Sequence, residues 1–392
     1  MSTLPPTMPL LPTEEELAIR DSARAICGKF DDGYARRKHE EGESPTELWD
    51  ELSAAGFIGI QVPEEWGGGG AGMSQLAVVL EEVMAGVGTL PAATVVSAAV
   101  AGPLLAKHGS QEQKERWLRK MADGTFTMAF AITEPDAGSN SHELRTTIRR
   151  DGDHYLLSGQ KTFISGVEAA DAVLVVARMR HEGGTLGLPT LVVVDVDAEG
   201  FTRQPIPMPF IAPDQQWQLF FDDVVVDADR LIGGENGGLA AVFDGLNPER
   251  IAGAAACLGL GRRALEKAIS YARERNVWGV PIGSHQGIAH PLAEAKIELD
   301  LARLMTQKAA ALHDAGEPSA GEAANMAKYA AAEAAIKAVD QAVQTHGGNG
   351  LTIEYGVSDL WWFVRLARIA PVSREMVLNY VAQHSLQLPK SY

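Results

Sequence analysis

Apolar residues recur at three- and four-residue spacing between Glu14 and Lys120, as in Leu17, Ala18, Ala25 and Ile26 and again in Leu48, Leu52 and Ala55. That is the period of amphipathic helices. Near Phe126 the pattern changes. Short apolar runs at 154–157, 172–177, 190–194 and 218–221, separated by Gly, Asp and Pro, predict strands. The glycine-rich segment 231–238 reads as a hinge into a long helix over about 249–274, with Ile251, Ala255, Leu258, Leu265 and Ile269 on one side. Further helices are predicted over about 290–314, 319–345 and 373–387. Three domains follow: an all-α domain over 1–125, a β-domain over 126–236 and a helical bundle over 237–392. This order excludes an alternating βαβ scaffold. Gly259-Leu-Gly261, with no strand before it, reads as helix packing rather than a dinucleotide fingerprint.

The net charge of −17 argues against a nucleic-acid partner, which needs a basic footprint. An anionic ligand would have to rely on a few placed Arg and Lys side chains, because the overall field opposes it. The two cysteines, Cys27 and Cys257, suggest neither a disulfide framework nor a metal site. The longest uncharged stretch, 83–106, contains Gly86, Gly88, Pro91, Gly102 and Pro103, which predicts broken, buried helices rather than a membrane span. The Pro-rich opening, Met1 to Pro12, has no basic segment leading into an apolar run, and the chain is expected to be cytoplasmic. The run Gly67-Gly-Gly-Gly70 has no strand before it and no Lys-Ser/Thr after it, so it is expected to be a turn rather than a phosphate loop.

Two segments change the picture. Ala131-Ile-Thr-Glu-Pro-Asp-Ala-Gly-Ser-Asn140 and Gly159-Gln-Lys-Thr-Phe-Ile-Ser-Gly166 resemble, in order, the two flavin-side signatures of the acyl-CoA dehydrogenases. The resemblance continues through Leu219-Phe-Phe-Asp-Asp-Val224, Glu249-Arg250, Arg273-Glu-Arg275, Trp278-Gly279, Gln286 and Gln344-Thr-His-Gly-Gly-Asn-Gly350, and so spans almost the whole chain. It implies an α+β fold of N-terminal helical domain, middle β-barrel and C-terminal four-helix bundle. It also implies FAD as cofactor, α,β-dehydrogenation of an acyl-CoA thioester in fatty acid metabolism, and an electron-transferring flavoprotein as acceptor. By position, Ile132, Thr133, Phe163 and Ser165 would face the flavin, Phe163 against the ring and Ser165 near N5. An aromatic face and placed hydroxyl donors are what a redox-active ring requires. Arg275, Trp278, Gln286, Gln344, Gly347 and Gly348 match positions that hold FAD bound mainly to a neighbouring subunit, which implies a homo-oligomer, tetramer or dimer. His346, with no evident partner, reads as packing.

The reaction needs a carboxylate to take the α-proton. In most relatives it lies in a C-terminal Glu-Gly-Thr loop; here that position falls on Arg374. A minority, the isovaleryl- and long-chain-type enzymes, carry it on the helix that opens the bundle, immediately before an Arg, and Asn247-Pro-Glu-Arg250 matches that arrangement. Glu249 is therefore the expected base, placed in a first helical turn after Pro248 with support from the helix dipole. Glu375, one residue past the altered position, is the second candidate. Ser139, Asn247 and Arg250 are expected at the substrate, and the N–H near Arg374 at the thioester oxygen. The altered loop keeps two other readings open: a flavin monooxygenase on the same fold, and a catalytically silent subunit of a hetero-oligomer.

Overall fold

The computed structural model describes residues 11–208, 214–235 and 237–390. Residues 1–10 of the Pro-rich opening and Asn236 of the glycine-rich hinge lie outside the described residues. The first third is helical: α1 (Glu14–Cys27), α2 (Tyr34–Glu41), α3 (Thr46–Ala54), α4 (Met73–Gly86), α5 (Ala92–Val95), α6 (Gly102–His108) and α7 (Gln111–Ala122). Capping boxes start α1 at Thr13 and α7 at Ser110, where the side-chain oxygen takes the amide three residues on. The long uncharged stretch is interrupted at Gly88 (φ +81°) and Pro91, and a π-helical turn, Val96–Ala101, separates α5 from α6. Among the described residues no helix is long and apolar enough to cross a membrane.

The glycine run at 67–70 is a closed turn. The N–H groups of Gly67, Gly68, Gly69 and Gly70 donate to Glu64, Pro63, Gly59 and Val62 carbonyls at 2.9–3.3 Å, so none of these amides is left for a phosphate.

The middle region holds β1 (Met128–Ala131), β2 (Thr147–Asp151), β3 (His154–Ser165), β4 (Ala172–Arg180), β5 (Leu186–Asp195), β6 (Phe201–Ile206), β7 (Gln216–Asp227) and β8 (Leu231–Ile232). They form one mixed sheet in the order β6-β7-β3-β2-β4-β5-β8, with β1 parallel beside the start of β4. Ala172 to Ala177 of β4 are all buried, as an unbroken apolar run in a central strand should be.

The last third comprises α8 (Gly238–Glu274), a short hairpin of β9 (Asn276–Val277) and β10 (Val280–Pro281), α9 (Gln286–Asp314), α10 (Ala320–His346), α11 (Asp359–Leu366) and α12 (Arg374–Tyr380). α8 starts at Gly238, well before the expected 249. Buried Ala241 and Val242 carry its packing face through Pro248, which removes one backbone hydrogen bond without ending the helix. Glycines let these helices approach closely: a Cβ on Gly259 would lie 2.4 Å from the Glu81 carbonyl oxygen, and one on Gly261 2.6 Å from Leu299. That is the packing role expected of Gly259-Leu-Gly261.

Charge clamps join the helical regions. Glu82 of α4 pairs with Arg20, with Arg24 (3.1 Å) and with Arg262 (2.5 Å), while neighbouring Glu81 pairs with Arg262 (3.2 Å) and Arg303 (3.0 Å). Asp314, at the end of α9, takes the Met73 and Ser74 amides at 2.6 and 3.0 Å and so caps α4.

Candidate active site

One face of α8 carries the candidate base. Gly245, Glu249, Gly253 and Cys257 follow at four-residue steps, each about 40° round from the last. Gly245 meets the N-terminal helices: a Cβ there would stand 3.0 and 3.1 Å from Leu104 and Val100. Gly253 meets the C-terminal segment, where a Cβ would be 3.7 Å from Pro371. Glu249 lies between these two positions along the helix. It sits about a third of the way along a continuous helix rather than in a first turn, because α8 begins eleven residues earlier, so the expected support from a helix N-terminus does not apply. No ion pair or hydrogen bond engages its side chain among the described residues. Glu249 is half-buried by exposed area, and desolvation of its carboxyl pushes it up to about 7, against the opposing pull of the Arg250 guanidinium.

Arg250 is fixed by a 2.7 Å hydrogen bond from its guanidinium to Asn247 Oδ1, one turn back on the same helix. The Asn247 amide in turn faces Gly321 at the start of α10, where a Cβ would come within 3.4 Å. The structure therefore joins Asn247, Glu249 and Arg250. Ser139, in contrast, is exposed on the loop between β1 and β2.

At the altered C-terminal position, Arg374 turns onto α10, 3.3 Å from Glu333 and over the Tyr329 ring at 5.5 Å. Its backbone N–H donates to the Arg368 carbonyl at 3.0 Å, so this amide is engaged inside the protein and not free for a thioester oxygen. Glu375 is 71% exposed and 3.6 Å from the Arg374 guanidinium. An exposed, paired carboxylate has neither the desolvation nor the vacancy that distinguishes Glu249.

The two signature segments meet through the backbone, with the Thr162 N–H donating to the Thr133 carbonyl at 2.9 Å. Beneath them lies a charge pair the sequence reading passed over. Fully buried Lys161 bonds Glu134 at 2.8 Å and the Ile132 carbonyl at 2.9 Å, while Glu134 also accepts the Arg145 and Thr146 amides at 2.7 and 2.9 Å. Burial pushes the Lys161 ammonium down to about 8 and Glu134 opposes this; burial also works against ionised Glu134, but Lys161 prevails and holds it below the usual carboxylate range. Both residues lie inside the quoted signatures, so their place in the motif was the available signal.

Above this pair the β3–β7 register slips between Lys161 and Ile164, and Phe163 takes a left-handed conformation (φ +58°) that leaves its ring 57% exposed. For a non-glycine residue this costs about 1–3 kcal/mol. The result is an aromatic face held clear of the core. Ser165 accepts a 2.7 Å hydrogen bond from Gln216 and keeps its own proton to donate. Asp214, two residues before Gln216, takes the Ala92 amide at 2.6 Å and ties this edge of the sheet to α5.

The other candidate set stands apart. Arg275 lies 26 residues beyond Glu249 along α8, which is about 39 Å of helix. Trp278 is 88% exposed in a left-handed turn (φ +51°), edge-on to His285, with Gln286 exposed beside it. Gln344, Gly347 and Gly348 are exposed at the end of α10, and no atom would obstruct a Cβ on either glycine. His346 is buried and stacked on Tyr271 (4.4 Å) with Nδ1 on the Ala342 carbonyl, which is the packing role expected of it.

Family models for the N-terminal, middle and C-terminal domains of acyl-CoA dehydrogenases match residues 13–125, 129–224 and 236–386. The chain is 54% identical over 381 residues to acyl-CoA dehydrogenase FadE12 of Mycobacterium tuberculosis, covering 97% of this chain and 98% of that protein. The chain belongs to the acyl-CoA dehydrogenase family. Solved members share its fold. Butyryl-CoA dehydrogenase of Megasphaera elsdenii superposes with a TM-score of 0.90 at 28% identity (97% of this chain, 100% of that one). A glutaryl-CoA dehydrogenase in complex with glutaryl-CoA gives 0.91 at 28% identity (98% of each chain).

Acyl-CoA dehydrogenases are FAD-dependent oxidoreductases, and the exposed groups of this chain suit that cofactor. Phe163 offers a ring face and Ser165 a free hydroxyl proton. Arg275, with no ion pair among the described residues, offers a fork that matches two phosphate oxygens. The open backbone at Gly347 and Gly348 admits close approach.

Proposed function

We propose that this acyl-CoA dehydrogenase oxidises the Cα–Cβ bond of an acyl-CoA thioester to the 2-enoyl-CoA, with Glu249 as the base. The observation that carries this reading is a carboxylate with no hydrogen-bond or ion-pair partner among the described residues, on a helix whose neighbouring turns meet Val100 and Leu104 at Gly245 and Pro371 at Gly253, with its pKa raised to about 7. A general base works best when its pKa lies near the working pH, and Glu249 meets that condition through burial. It takes the α-proton. Arg250, braced by Asn247, keeps a positive charge beside the carboxylate and serves the CoA end of the substrate, where the motif alone also assigns Ser139. Bound FAD supplies the acceptor for the β-hydride, which an electron-transferring flavoprotein then relieves of its electrons. Ile132, Thr133, Phe163 and Ser165 hold the flavin end.

About 39 Å of helix between Glu249 and Arg275 supports a cofactor shared between copies. On this reading Arg275, Trp278, Gln286, Gln344, Gly347 and Gly348 serve the FAD of a neighbouring subunit, and the working form is a homo-oligomer.

Anaerobic mixing of the FAD-loaded protein with straight and branched acyl-CoAs tests the reading. Bleaching of the visible flavin band by some of these thioesters is expected. Colour that persists across the panel would contradict dehydrogenation.

A further inference from the structure

Lys328 of α10 is 2% exposed, and no step above uses it. An ammonium in such a place carries a desolvation cost that an aliphatic side chain would avoid. Its Nζ donates to the Val372 carbonyl. Cys257 and Arg250 of α8, Glu333 of α10 and Glu375 of α12 are the charged and titratable groups that act on it, and burial pushes it down to about 8.

The recipient carbonyl lies in the segment that has lost the usual base. Two neighbouring anchors fasten that segment, Val372 on Lys328 and Arg374 on Glu333 and Tyr329, and Pro371 lies beside Gly253 of α8. The Arg374 anchor rests on half-exposed side chains. The Val372 anchor reaches into the protein. Gly253 is one turn beyond Glu249, so the position of Pro371 bounds the space beside Glu249 on that side.

We propose that Lys328 is a positioning residue for the oxidation, holding the Val372 carbonyl so that residues 371–374 close the thioester cleft over the α8 turn that follows Glu249. The proposal rests on the functional reading above. Displacement of a cleft wall by about 1 Å slows a positioned reaction by as much as ~10²-fold without removing any reacting group.

The test compares wild-type holoenzyme with Lys328→Met, which keeps the length but cannot donate, and Lys328→Gln, which keeps a neutral donor. The expected result for Lys328→Met is full FAD content and a limiting rate of anaerobic flavin reduction lowered about 10- to 100-fold. Thioester affinity should change less, and Lys328→Gln should recover part of the rate. Hydrogen exchange of peptide 368–376, which reports the Arg374 N–H, should quicken in Lys328→Met while the α4 peptide around Glu82 stays unchanged. Wild-type reduction rates in Lys328→Met, or unchanged exchange of 368–376, would overturn the proposal. If wild-type protein is bleached by no thioester, the functional reading fails and the catalytic part of the proposal fails with it, while the exchange comparison still decides whether Lys328 tethers the segment. If Lys328→Met does not fold, Lys328→Gln carries the same two measurements, and wild-type values in both would overturn the proposal.

Discussion

Half-buried Glu249 on α8 and buried Glu82 at the junction of the helical regions both carry desolvated carboxyls, and they are held in opposite ways. Burial works against the ionised form of each. At Glu82 the guanidinium groups of Arg262, Arg20 and Arg24 outweigh it and keep the carboxyl below its ordinary range. At Glu249, among the described residues, the neighbouring Arg250 alone opposes burial, and the carboxyl rises to about 7. Withdrawal from water alone therefore does not mark a functional acid. What distinguishes the two is whether the surroundings supply a counter-charge in place of the lost water.

Four substitutions or conditions sharpen this contrast. Glu249→Gln should retain FAD and slow flavin reduction by acyl-CoA about 10²- to 10⁴-fold, the usual share of a general base, as read by anaerobic stopped-flow. Glu82→Ala should act on stability instead. It takes the shared carboxylate from Arg20, Arg24 and Arg262 and is expected to cost about 3–5 kcal/mol, read by denaturant unfolding, with reduction per folded holoenzyme within about twofold of wild type.

Stability should also respond to pH in opposite senses. Unfolded Glu249 ionises from about 4.5 upwards while the folded form keeps its proton to about 7, so its contribution falls as pH rises across that window. Glu249→Gln removes the fall and should be more stable than wild type by about 1–3 kcal/mol above pH 7, with little difference below pH 4.5. Glu82, with its folded pKa lowered, contributes stability above its unfolded value that is lost as pH falls through the folded one. Glu375→Gln, at an exposed carboxylate, should change the reduction rate by less than about twofold.

Much of this was legible in the sequence. The helical spacing around Leu48 and Leu52 and the apolar run at 172–177 correspond to α3 and β4. β6 escaped because its residues, Phe201 to Ile206, include no buried position, so no alternation betrays it. The start of α8 escaped because the glycines before it and Pro248 within it are local breaker signals, whereas Ala241 and Val242 are fixed by tertiary packing. At the site, the signatures pointed to Phe163 and Ser165, but not to its left-handed backbone or the Lys161–Glu134 pair underneath. The engagement of the Arg374 amide by Arg368 depends on how the chain folds back before α12, which residue identity alone does not encode.

The most direct test of Glu249 as an unpaired base is the pH dependence of anaerobic flavin reduction at limiting acyl-CoA, which reports ionisations of the free protein. The rate should rise with pH along an acid limb centred near 7, and the residual reduction by Glu249→Gln should lack that limb. An identical limb in Glu249→Gln, or a wild-type rate flat between pH 5 and 8, would contradict the assignment.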